Sequence, residues 1–182
     1  MQAESQTRPA RFLARWHQVE CLVAVAAFGL IALLLMVDVL GREFVGPVFK
    51  WLDIAGATGL PGAQKLSVFA LVVGAYAGLG IATATNSHLV PRVAFSWIPA
   101  AWSDTMNRVA DVVTGMVLVG IAYYGFVFVL ASKGMSMRAP VLNWEVWPFQ
   151  LAIPLGFVSA AVRNFAYAIW PDCKAPPPEF QE

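Results

Sequence analysis

Residues 66–88 read LSVFALVVGAYAGLGIATATNSH, a run that carries no charge before His88. It is long enough to cross a bilayer as a helix, and within it Ala70, Gly74, Gly78 and Ala82 recur every four residues. Such a stripe of small side chains lets another backbone approach to van der Waals contact, a main source of helix association in lipid. The stretch therefore predicts a membrane span with a packing face.

The rest of the chain agrees. Of its 182 residues 59% are hydrophobic and only 13% charged, about half the charge of a soluble domain. A net charge of +1 with no basic, aromatic-interleaved stripe argues against nucleic acid. Cys21 and Cys173 show neither CxxC nor metal-ligand spacing, so both are expected as free thiols and a thiol oxidoreductase is disfavoured. The first apolar run is too long for a secretory-signal core and is read as a retained helix.

Three further spans follow from length and hydropathy, giving an all-α integral membrane protein with four transmembrane helices at about 19–40, 66–83, 112–131 and 147–169. Two stretches are expected to lie in the interface. Residues 9–18 place Phe12, Leu13 and Trp16 on one face and arginines on another, which fits an interfacial helix or an ordinary basic flank. Residues 94–109 place Trp97 and Trp102 on an apolar face too interrupted by polar residues to cross. Trp16, Trp97 and Trp102 are the expected interfacial anchors. Residues 43–65 are expected as a loop with a turn or two of helix after Pro47, and 171–182 as a polar tail in a single membrane domain.

Few residues invite chemistry. Asp38 lies one turn before Arg42, the favourable order for a helical ion pair, which predicts a structural pair near a membrane edge. His88 is expected to cap or face the interface, Arg163 to snorkel to the surface, and Pro154 to kink the fourth span, with Pro154 and Gly156 expected as packing positions alongside the stripe. The two histidines fall at helix ends rather than facing each other in a bundle, against a bis-histidine haem, and too few ligands exist for zinc. No cofactor, metal or catalytic set is expected. Seven bases on the side of the N-terminus against five on the other place both termini in the cytoplasm by the positive-inside rule.

Three stretches together resemble the small membrane subunit of the tripartite ATP-independent periplasmic (TRAP) transporters. They are Val37–Phe44 (VDVLGREF), Gly78–Leu89 (GLGIATATNSHL) and Ala152–Phe157 (AIPLGF) followed by Arg163. The similarity covers most of residues 16–170 in order and spacing. It departs from the family at Gly62–Lys65, where an aromatic and acidic lead-in is usual, and at Ala84 and Thr85, where arginines are common. The resemblance implies a scaffold in the bacterial inner membrane, bound to a large TRAP permease subunit. That subunit takes an organic acid, such as a C4-dicarboxylate, from a periplasmic substrate-binding protein and is driven by sodium. The competing reading is a self-sufficient small multidrug-type exporter, which would depend on an in-span carboxylate, with Asp38 the candidate.

Overall fold

The first span begins earlier and ends later than its apolar core. In this computed structural model, which describes residues 8–52, 56, 59–86 and 102–175, helix α1 runs unbroken over Arg8–Leu40. Pro9 sits where a first-turn proline costs no hydrogen bond, and no glycine or proline follows before Gly29. Residues 9–18 are thus the opening turns of a long helix and not a separate interfacial one. Beyond Leu40 the chain winds through a π-helical turn, Gly41–Val45, into α2, Gly46–Trp51, with Pro47 in its first turn. Helix occupies the first part of the stretch expected as a loop.

Helix α3 spans Ala63–Ala84. Gly62 caps it at φ +85°, in the left-handed region that suits glycine, and a Cβ there would also press on Leu142 at 2.9 Å. Helix α4 covers Ser103–Gly134, so residues 103–109 belong to the third span, while residues 94–101, with Trp97, lie outside the described residues, as does His88. After a tight reversal in which Ala139 and Trp144 share a 2.8 Å backbone bond, α5 (Trp147–Gln150) and α6 (Ala152–Ile169) form the fourth span. A 3-10 turn, Pro171–Cys173, follows.

Pro154 has no N–H to give the Gln150 carbonyl four residues back, and the fourth span is interrupted there, between α5 and α6. The helix restarts at Ala152, so the proline falls in the first turn of α6, where a missing N–H is tolerated.

The four long helices stand in a row. α3 packs along α1 on one side and α6 on the other, and α6 packs in turn along α4, giving the order α1, α3, α6, α4. In the most apolar stretch of each helix, 44% of residues are buried in the fourth span and 17% in the third, as expected for a central and an edge position. In lipid the exposed valines, leucines and phenylalanines of the edge helices carry no hydrophobic penalty, so cohesion falls to close packing and polar contacts.

Every seam has a glycine. Between α1 and α3, a Cβ on Gly74 would lie 3.2 Å from the Ala27 methyl. Between α3 and α6, one on Gly156 would lie 2.7 Å from the Tyr76 carbonyl oxygen. Between α6 and α4, Gly125 admits the buried Pro154 ring and Gly115 admits the Phe165 ring.

Candidate functional site

Placing a charge in a membrane helix is costly unless it is paired, so the ionised groups inside the spans mark where sequence has been constrained by something other than hydropathy. They form two layers. Glu20 and Asp38 lie 18 residues apart on α1, about 27 Å at 1.5 Å per residue, close to one hydrocarbon thickness.

At the Glu20 layer, three helices converge on one guanidinium. Arg163 of α6 is 1% exposed. Its Nη1 donates to the Gly80 carbonyl of α3 at 2.6 Å, and its Nη2 lies 2.6 Å from Glu20 Oε2 of α1. The Nη2 contact is one of charge rather than an aligned hydrogen bond, and Nε finds no partner among the described residues. The other carboxylate oxygen of Glu20 accepts from Ser159 Oγ and, at 2.9 Å, from Trp16 Nε1, which also lies 2.8 Å from Ser159 Oγ. Gly80 makes the cluster fit, since a Cβ there would overlap the Glu20 carboxylate.

Arg163 therefore does not snorkel. Turning outward would leave Glu20 unpaired between helices, and turning inward brings the two charges together. Beside the cluster, Lys174 Nζ, beyond the end of α6, binds both oxygens of Asp111 on α4 at 2.6 and 2.9 Å, and Asn86 Nδ2 donates to the Ala175 carbonyl at 3.2 Å. The segment after α6 is thereby fastened to α3 and α4.

The Asp38 layer is built differently. Arg42 pairs with Asp38 one turn away, and Asp38 Oδ1 accepts the Leu60 N–H at 3.0 Å from the segment leading into α3. Asp38 is 3% exposed, whereas half of the Arg42 side chain is open. The pair lines a cleft of about 330 Å³ with Gly59–Lys65 and Val141. Nearby, the Lys133 ammonium stands 5.0 Å over the Trp147 ring.

The small-residue stripe divides. Ala70 and Gly74 are buried, Gly74 against Ala27 of α1, Ala82 is half-buried, and a Gly78 Cβ would meet nothing within 4 Å among the described residues. The reason is geometric: a four-residue repeat advances about 40° per step round a helix of 3.6 residues per turn. After two steps it has left the seam, and the buried line continues instead through Gly80 and Thr83. Trp16 and Trp102 are both largely exposed, yet Trp16 turns its N–H inward to the Glu20 cluster.

Glu20 is the residue that sequence reasoning did not assign. One acid near the start of the first span and one base near the end of the last were the available signal, since neither is tolerated alone in a bilayer.

With this geometry in view, comparison with known families is decisive. Residues 31–172 match the model described as tripartite ATP-independent periplasmic transporters, DctQ component. The chain belongs to that family. A comparison with curated proteins gives no match. The DctQ match begins about two-thirds of the way along α1, so it includes Gly80, Ser159 and Arg163 but neither Trp16 nor Glu20. The family assignment and the four long apolar helices agree: the chain is a multi-pass membrane component of a TRAP transport system.

Proposed function

We propose that this chain is the static small permease subunit of a sodium-driven TRAP transporter. It scaffolds a large permease subunit that receives an organic acid, a C4-dicarboxylate or a related carboxylate, from a periplasmic binding protein. The observation that carries this reading is how charge is used. Among the described residues of the spans, Glu20, Asp38 and Asp111 each have a cationic partner; the Glu20 and Asp111 pairs join separate segments of the chain, and Asp38 also holds the Leu60 N–H. A carrier needs a group free to exchange its partner for an ion or substrate; these are committed to holding a row of helices together. The base count supports both termini lying on the cytoplasmic face.

The exporter reading would make Asp38 the coupling carboxylate. Its bonds to Arg42 and to the Leu60 N–H favour a structural role instead. Proteoliposomes separate the two readings. Uptake is expected only when this chain, the large permease subunit, the binding protein and an inward sodium gradient are all present. Substrate flux in vesicles holding this chain alone would overturn the proposal.

A further inference from the structure

The two edges of the helix row are not equivalent. Between Cys21 and Val37 the α1 edge reads LVAVAAFGLIALLLM, without a hydrogen-bonding side chain, and a Cβ on Gly29 would meet nothing within 4 Å among the described residues. The α4 edge carries Tyr123 and Tyr124, 64% and 73% exposed, their rings edge to face at 5.5 Å. Neither phenol has a hydrogen-bond partner among the described residues.

Depth turns this into a constraint. Asp111 and Lys133, whose partners mark the two ends of α4's apolar stretch, are 22 residues or about 33 Å apart. Tyr123 lies about 18 Å from the first and about 15 Å from the second, so both hydroxyls sit near the bilayer midplane. Lipid ester and headgroup oxygens lie far above and below, beyond the reach of a tyrosine. A phenol there finds an acceptor only on another membrane helix. Gly120, one turn away on the same face, has open space where a side chain would be, leaving a notch flanked by the two rings.

We infer that the Gly120–Tyr123–Tyr124 face of α4 is the docking surface for the large permease subunit, which meets it with a membrane helix offering hydrogen-bond acceptors at the midplane. The α1 edge faces lipid. This rests on the scaffold reading above and specifies which side of the row the partner occupies.

The test is association of the full-length chain with the large permease subunit in nanodiscs, followed by energy transfer between labels. Removing both hydroxyls in Tyr123→Phe/Tyr124→Phe is expected to weaken association about tenfold, from roughly threefold per interhelical hydrogen bond in a membrane. Gly120→Leu, which fills the notch, is expected to weaken it further, while Gly29→Leu on α1 leaves it unchanged. Unaltered affinity in all the α4 variants would overturn the inference and spare the scaffold reading. Failure of the wild-type chain to associate at all would overturn both. Dimerisation of the chain alone, lost in the double phenylalanine variant, would assign the face to a second copy and so also overturn it.

Discussion

Glu20 with Arg163 and Asp38 with Arg42 are both acid–arginine pairs in the same protein, about one membrane thickness apart on α1, and they do different work. Asp38 and Arg42 are neighbours on one helix, with the arginine half open to its surroundings. Their pairing settles a helix end and one N–H of the following segment. Glu20 and Arg163 come from opposite ends of the chain, with the arginine enclosed and a third helix supplying the Gly80 carbonyl. That pairing fixes the positions of α1, α3 and α6 relative to one another. A buried pair is weak evidence of net stability against an apolar substitute, but breaking one partner away is costly because the other stays charged and enclosed.

The largest expected effect follows from that asymmetry. Arg163→Met should destabilise the chain by about 3–5 kcal/mol, since Glu20 is left without its cation. Adding Glu20→Gln should restore a large part of the loss. Thermal unfolding in mild detergent, followed by tryptophan fluorescence, measures both. If the single and double variants unfolded alike, the pair would not be the element that ties the three helices.

Gly80→Ala tests the same layer through shape rather than charge. The added methyl overlaps the Glu20 carboxylate, and accommodating it should cost about 1–3 kcal/mol, as overpacking does elsewhere. The effect should shrink in a Glu20→Ala background, where the obstruction is gone. Equal losses in both backgrounds would place the strain elsewhere.

At the Asp38 layer the expectation is smaller. Asp38→Asn keeps an acceptor for the Leu60 N–H and loses only the charge toward a half-exposed arginine, which should cost about 1 kcal/mol or less. A loss as large as that of Arg163→Met would erase the contrast between the layers.

These differences also set what could be read from the sequence. Four spans were legible because hydropathy and length are local properties, and Asp38–Arg42 was legible because a helix puts residues four apart on one face. Glu20–Arg163 was not, because nothing local states that the first and last spans meet across α3. Arg163 read alone suggested snorkelling, the default for a lone arginine near a helix end. The continuity of α1 through residues 9–18 was hidden in another way: an amphipathic opening and an apolar core look like two elements until one asks what would break the helix between them, and no residue does.

The smallest expected effect concerns the stripe at Ala70, Gly74, Gly78 and Ala82. Gly74 faces Ala27 with 3.2 Å for a new methyl, so Gly74→Ala requires α1 and α3 to part slightly. Gly78 faces open space, so Gly78→Ala adds no contact and removes the backbone entropy cost of a helical glycine, up to about 1 kcal/mol in its favour. The two substitutions are chemically identical and one turn apart on the same helix, so their unfolding temperatures should move apart, with Gly78→Ala the higher. Identical shifts would mean that the α1–α3 seam follows the four-residue repeat after all and that α3 does not turn its face from α1 along its length. The difference expected here makes a sequence stripe and a packing seam separable quantities: the stripe has the period of the side chains, the seam has the period of the helix.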